Sequence, residues 1–484
     1  MRGVGAIGNM LQFARDPIGY VTKVFERFGP IALMVRAPTS ISNPGPGWGS
    51  GQLRTAEGKG VVFVNGAEAN REVLMARDRY HMIALTGRLY PTEVDVSERR
   101  KPLLRTMTGL FHINGNEHRR GRRLLMPAFY KTRIEAYRDD MLTLTDEMLG
   151  RWKKGETRDV HGDMTELTLR IATKTLFGED ERERGVRLSH LMQAWLETMM
   201  SPFQLIPQGD WPGTPRRRFL DLTREIDRET ATIVRNKRAR ASSDGKDMLS
   251  MLIAARDEDG SLLDEDELIG HAGTIFAAGH ETSTNALAWT YLLLSQHPKV
   301  MHDLEDELDA VLRGAPPTIE DLAKLPLLDA VVKESLRILP PVPMHPRIVA
   351  EDHTLMGHFL PAGSELFISI FHMHRDPDVF PAPNVFSPKR WETSTPTVFE
   401  YNPFSAGPRM CIGASFATME IKLVLSTMMQ RFRLDLPARS RVDHRVAISM
   451  APRGGLRMTI RDRHETVKQS RVSGKIRALL KLPD

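Results

Sequence analysis

The spacing of apolar and polar positions changes character along the chain. Before about residue 115, short apolar runs are broken by polar and Gly/Pro-rich stretches, which predicts mixed short strands and helices. Val61-Val62-Phe63-Val64 is a continuous apolar run ended by Asn65-Gly66, the signature of a strand and its turn. Pro44-Gly45-Pro46-Gly47-Trp48-Gly49-Ser50-Gly51 holds no regular element and reads as a loop. From about 115 to 310 the spacing is mainly helical. Its longest stretch, Asp264 to Ser295, predicts one long helix that His297-Pro298 ends. Residues 340–370 return to short strands between Pro and Gly turns. After Arg461 the chain is polar, and Lys475-Ile476-Arg477-Ala478-Leu479-Leu480-Lys481 reads as a short basic amphipathic helix on a solvated appendage. The expectation is a mainly α protein with a smaller β-rich region: one unit over 1–460 and a basic tail over 461–484.

Composition narrows this picture. A chain of 484 residues exceeds an ordinary single domain, yet no linker, repeat or low-complexity block divides it. Apolar residues make up 41% and charged residues 26%, enough for a large core. The net charge of +6 (67 basic against 61 acidic) is spread along the chain and gives no footprint for nucleic acid. No run of about 18 apolar residues is present, so no transmembrane anchor is expected. The N-terminal residues lack the apolar segment of a signal peptide, and a cytoplasmic location is expected.

Cys411 is the one cysteine, which excludes an internal disulfide or a multi-cysteine metal cluster. It lies in Phe404-Ser405-Ala406-Gly407-Pro408-Arg409-Met410-Cys411-Ile412-Gly413. Flanking glycines allow tight turns and close approach of a flat ligand. An aromatic precedes the sulfur by seven residues, and a guanidinium precedes it by two. These features suit a loop that presents a thiolate to haem iron, against the spectator core position that a lone cysteine usually takes.

A second feature lies in the long helix, at Ala278-Gly279-His280-Glu281-Thr282-Ser283. Glycine in a helix interior costs roughly 0.5–1 kcal/mol against alanine, which makes sense where something lies against the backbone. Thr282 can bond a carbonyl one turn back, and an acid–alcohol pair beside such a gap can relay protons. Glu334 and Arg337 are three apart and share a helix face, which alone reads as a surface ion pair of little worth. His118 and Arg122, four apart, also share a face.

Together and in this order, the segments resemble the cytochrome P450 family from about residue 10 to 460. The pattern Phe-x-x-Gly-x-Arg-x-Cys-x-Gly is similar to the family's haem-ligand signature, and Ala-Gly-x-Glu-Thr to its oxygen-activation segment. The resemblance implies the cytochrome P450 fold, with a long helix over a haem and the cysteine loop on the proximal side. It implies haem b, with Cys411 as the axial metal ligand. His118, Arg122, Arg347 and Arg409 would hold its propionates, and Ala278, Phe404, Gly407 and Gly413 would line it. Glu281 and Thr282 would be the catalytic proton-delivery pair. Glu334, Arg337 and Arg390 would form a buried structural triad bracing the ligand loop.

The implied activity is a monooxygenase placing one atom of O2 into an apolar small molecule such as a fatty acid, terpenoid or steroid-like compound. No flavin segment accompanies it, so electrons would come from separate partners, a ferredoxin and a ferredoxin reductase. A haem-thiolate enzyme using peroxide or rearranging a lipid is the alternative, and a non-catalytic haem carrier or sensor a remote one. The pocket is expected from Arg88 to Phe111, Leu191 to Trp211, Gly273 to Thr282, Val342 to His345 and Ile448 to Ala451. In it Trp195, Met199, Met200, Pro202, Phe203, Leu205, Ile206 and Trp211 suit an adaptable apolar surface and helix packing equally, and Arg88 or Arg105 would be a mooring for a carboxylate.

Overall fold

The structure is a computed structural model that describes residues 10–34, 61–82, 101–106, 108–178, 181–199, 211–240, 245–465 and 469–482. The expected Pro44–Gly51 loop, Arg88, and Met200, Pro202, Phe203, Leu205 and Ile206 lie outside the described residues.

The long helix predicted from the sequence runs over Glu265–Gln296. Asp264 caps it: its carboxylate accepts the Glu267 N–H, while Glu267 reaches back to the Asp264 N–H. Pro298 opens the next helix after the break at His297. Residues Ser283–Gln296 are buried on every side, as an all-round apolar helix must be. Burial is interrupted over Gly273–Thr282, where Ala278 is exposed and Gly279, Glu281 and Thr282 are half-buried. A solvent-reachable patch in the middle of an otherwise buried helix marks an internal opening. Helices Val160–Phe177, Pro215–Ala239, Pro326–Ile338 and Ala414–Met429 pack around it.

The β-rich region is a five-stranded sheet whose neighbouring strands are Ile31–Met34, Val61–Val64, Glu365–Ser369, Met344–Val349 and Tyr80–His81. The predicted strand Val61–Val64 is wholly buried and pairs in parallel with Glu365–Ser369, Val61 opposite Glu365. The sheet therefore ties the N-terminal region to the strand that carries Arg347.

The tail departs from expectation. Strand Arg457–Asp462 crosses the anticipated boundary at 460 and pairs with Phe432–Asp435 and Thr157–Asp159. Beyond it Val472, Ile476, Leu479, Leu480 and Leu482 are all buried, and among the described residues only a 3-10 turn, Lys475–Ala478, is helical. The apolar positions that suggested an amphipathic helix on a solvated appendage instead pack on the body of the protein. Gly474 makes the approach feasible: at φ +103° it has room where a Cβ would meet the Val442 carbonyl oxygen at 2.3 Å. Among the described residues no helix is long and apolar enough to cross a membrane.

Candidate active site

The Cys411 loop is shaped by two left-handed residues, Ser405 (φ 61°) and Gly407 (φ 70°). A Cβ on Gly407 would lie 2.7 Å from the Leu74 carbonyl oxygen, so the glycine is required by the turn and by its packing on helix Ala67–Met75. Gly413 is different: a Cβ there would sit at ordinary contact distance, 3.9 Å from Phe129 and 4.0 Å from the Cys411 sulfur. The Cys411 N–H donates to the Phe404 carbonyl (2.8 Å), which closes the loop, and Phe404 packs against the main core.

Gly413 caps helix Ala414–Met429, so the thiol stands at the positive end of a helix. Cys411 is exposed, while neighbouring protein groups crowd around its sulfur. Burial pushes its thiol pKa up, while the Gly413 N–H and the Arg122 charge pull it down. A thiolate here calls for a further cation, and a metal ion supplies one.

Four nitrogen-bearing side chains from three segments gather beside this loop. His118 and Arg122 lie on helix Gly115–Leu125, Arg347 on strand Met344–Val349 and Arg409 in the loop itself. Arg122 Nη1 donates to the Met410 carbonyl (2.8 Å), and Arg409 Nη2 to the Ile113 carbonyl (2.7 Å) and Asn114 Oδ1 (2.6 Å). Arg347 Nη1 donates to Met82 Sδ and the Pro346 carbonyl, both at 2.8 Å. Among the described residues none of the three guanidiniums has a carboxylate partner, and Arg409 Nε is buried without any acceptor.

The electrostatic consequence is visible in each group. Burial and then Arg409 push Arg347 down to about 9. Burial, Arg77 and Arg122 push Arg409 down to about 10. Burial and the neighbouring guanidiniums lower His118 to about 4, so at neutral pH it offers an N–H rather than a charge. Buried cations need anions, and this donor set suits a ligand carrying two carboxylates. Arg77 belongs to the same field, although nothing in its sequence surroundings announces it.

Across the packed central helix, the Thr282 hydroxyl donates to the Ala278 carbonyl at 2.9 Å, the back-bond expected from the sequence. A Cβ on Gly279 would meet nothing within 4 Å, in keeping with a helix face kept clear for a ligand. Glu281 accepts from the Ser449 hydroxyl at 2.8 Å. Sequence reasoning missed Glu420, the lone acid on an apolar face of helix Ala414–Met429. It is fully buried, accepts from the Ser283 hydroxyl at 2.5 Å, and burial pushes its carboxyl up to about 8. It therefore packs as a neutral acid and joins the cysteine helix to the central one.

The Glu334–Arg337 pair is no surface pair. Arg337 donates to both Glu334 oxygens at 2.9 Å, and both side chains are fully buried. Arg390 Nε (3.0 Å), Trp391 Nε1 (3.1 Å) and the Ser387 N–H (3.0 Å) complete the shell around the carboxylate. Arg337 also donates to the carbonyls of His374 and Pro383 at 2.8 Å each. Two arginines, an indole and an amide on one carboxylate satisfy a charge that burial alone would penalise.

The expected pocket residues divide. Trp195 stacks on Phe219 (5.1 Å between ring centres) and donates to Thr223 Oγ1 at 2.8 Å, so it packs helices together. Trp211 is 71% exposed and faces solvent. Arg105 is paired with Asp227 (3.1 Å) and Asp266 (2.9 Å) and has no free charge for a substrate carboxylate, contrary to expectation.

The family profile described as Cytochrome P450 matches residues 56–455. The cyclooctat-9-en-7-ol 5-monooxygenase of Streptomyces melanosporofaciens is 33% identical over 331 residues, 66% of this chain and 71% of that protein. The pentalenene oxygenase of Streptomyces avermitilis is 32% identical over 336 residues, 67% of this chain and 74% of that one. The solved structure of retinoic acid-bound cyanobacterial CYP120A1 superposes with a TM-score of 0.79 at 26% identity, covering 95% of this chain and 98% of the other. The chain belongs to the cytochrome P450 family. It has that family's fold and is a haem-dependent monooxygenase.

Proposed function

We propose that this protein inserts one oxygen atom from O2 into a neutral, apolar substrate of the terpenoid class. It would use haem b ligated by Cys411 and electrons from a separate ferredoxin and its reductase. The observation that carries this reading is the lone thiol at a helix N-terminus beside guanidiniums that have no carboxylate partner among the described residues. When bound, haem supplies oxygen activation. Cys411 would hold its iron, with the Gly413 N–H steadying the sulfur. Arg122, Arg347 and Arg409 would neutralise its two carboxylates, and His118 would add an N–H. Ala278 and Gly279 would leave room on the opposite face, while Thr282 holds and Glu281 supplies protons there.

The substrate class rests on two further points. Arg105 is committed to Asp227 and Asp266, so it does not offer a mooring for a fatty-acid carboxylate. Two of the similar proteins are named for oxidising cyclooctat-9-en-7-ol and pentalenene. The intact Glu281–Thr282 pair favours oxygen activation over peroxide use or lipid rearrangement.

The test begins with the reduced, carbon monoxide-bound protein. A strongly red-shifted Soret band that C411S abolishes is expected, and a band unchanged by C411S would overturn the ligand assignment. Titration with sesquiterpene or diterpene hydrocarbons and mono-ols should displace the spectrum at lower concentrations than a long-chain fatty acid does. Tighter binding of the fatty acid would overturn the substrate class. Reduction by ferredoxin should slow as salt rises if basic residues near Cys411 receive it, and salt-independent reduction rules that docking out.

A further inference from the structure

Glu281 stands at the end of a directed chain of hydrogen bonds drawn from three elements. Its Oε1 accepts from the Ser449 hydroxyl at 2.8 Å. Ser449 Oγ accepts from Asn285 Nδ2 at 3.0 Å. Asn285 Oδ1 lies 3.0 Å from His161 Nε2. His161 is in the first turn of helix Val160–Phe177, Asn285 is one turn beyond Glu281 on the central helix, and Ser449 lies in the turn before strand Met450–Pro452. Asn285 and Ser449 are both buried.

The direction of this chain follows from donor chemistry. A serine hydroxyl has one proton. While it accepts from the Asn285 amide, that proton is free for Glu281. Were the amide turned over, its oxygen would face Ser449 and compete for the same proton. An imidazole with its proton on Nε2 prevents this, because it needs the amide oxygen toward itself. His161 therefore sets the amide, the amide sets the hydroxyl, and the hydroxyl sets the carboxylate.

Glu281 and His161 also share a cleft of about 780 Å³, whose walls include Asp159, Thr165, Thr284 and Arg445. A water takes about 30 Å³ of liquid volume, so a cleft of that size, whose walls mix these polar groups with Leu169, Val186 and Ile448, has room for many. The cleft lies on the side of the central helix that faces helix Val160–Phe177, and Glu281 is the acid that this helix presents to it.

We propose that His161 is a positioning residue that, through Asn285 and Ser449, holds the Glu281 carboxylate toward this cleft. The inference rests on the reading of Glu281 as a proton donor. In each delivery the carboxylate takes one proton from a hydronium of the cleft, becomes the acid, and releases Ser449. It then turns toward Thr282, gives the proton to the Thr282 hydroxyl oxygen as that hydroxyl passes its own proton to the dioxygen being reduced, and returns to Ser449 as the carboxylate. The amide itself carries no proton along the chain, since it would have to pass through its imidic acid. The chain's work is orientation.

The test uses the haem-loaded enzyme with its reductant and compares H161L, H161Q and S449A with the parent. The fraction of reductant converted to product rather than peroxide should fall roughly three- to tenfold in H161L and S449A, a part of the 10²–10⁴ a positioned acid contributes. The solvent deuterium isotope effect should rise with it. H161Q, which keeps an N–H donor, should recover most of the loss. Independently of turnover, the infrared carboxylate band assigned by its loss in E281Q should shift in H161L and S449A and return in H161Q. An unshifted band and parental coupling in both H161L and S449A overturn the proposal. If H161L fails to retain haem, S449A decides alone. Parental coupling in E281Q instead removes the proton-donor reading itself, so the two failures are distinguishable.

Discussion

At the scale of single residues, the informative groups are charges placed where water cannot reach them. Glu420 is the clearest case. Its carboxyl is raised to about 8 by burial, against an ordinary value of 4.5. Between those two values the folded chain holds a proton that the unfolded chain has lost, so stability must fall as pH rises across that window. The slope is at most about 1.4 kcal/mol per pH unit for one group. E420Q keeps the shape and a hydrogen-bonding side chain but cannot ionise. Urea unfolding of parent and E420Q from pH 5 to pH 8 should therefore show the parent losing stability relative to the variant as pH increases. Parallel pH profiles would mean that Glu420 is ionised in the folded protein. Cys411 was legible in the sequence because its chemistry is carried by a local pattern. Glu420 was not, because nothing local distinguishes an acid on a buried helix face from one on a solvated face.

At the scale of elements, the cysteine loop shows that glycines in one motif do different work. Gly407 is held at φ 70° with its Cα against the Leu74 carbonyl, whereas Gly413 has ordinary room for a methyl group. A left-handed non-glycine residue costs about 1–2 kcal/mol, and the clash at 2.7 Å adds to that. G407A should lower the thermal midpoint by several degrees and loosen haem retention. G413A should leave the protein within about 0.5 kcal/mol of the parent. Equal effects of the two substitutions would show that the loop, not the contact with Leu74, makes the demand. The same contrast marks how far sequence reasoning reaches. The long helix, read from Asp264 to a stop at His297-Pro298, was legible almost to its ends, because termination is local chemistry, although its capping box came only with the structure. The Glu334 shell was legible only as a family likeness, since its partners Ser387, Arg390 and Trp391 lie more than 50 residues away. Trp195 suited a pocket and helix packing equally and Arg105 was read as a mooring, because their partners Phe219, Asp227 and Asp266 come from other helices that no local pattern announces.

At the scale of the whole molecule, the C-terminal segment is part of the fold even though it lies beyond the 56–455 stretch that the family profile matches. Its composition looked basic and solvated, but its apolar residues decide its fate: Ile476, Leu479, Leu480 and Leu482 are all buried. It also completes a shell around an enclosed guanidinium. Arg375 Nη2 donates to the carbonyls of Leu479 (3.0 Å) and Ile338 (2.5 Å), Nη1 to Phe371 (3.1 Å) and Nε to Asn384 Oδ1 (3.1 Å). Burial pushes the Arg375 pKa down, and losing an acceptor would make its charge costlier still. Lys481 closes the seam, its N–H donating to the Asn384 carbonyl at 2.8 Å. Each fully buried Leu or Ile is worth about 1.5–3 kcal/mol, so the segment's share rivals the 5–15 kcal/mol that holds a typical protein folded. Removing residues 469–484 should therefore cost most of the soluble, haem-loaded protein, and L479A alone should cost about 2–5 kcal/mol in urea unfolding. Lys475→Ala, which removes a charge from the outer side of the same segment, should change little. A truncated chain that accumulates with parental haem content and an unshifted urea midpoint would return the segment to the status of an appendage.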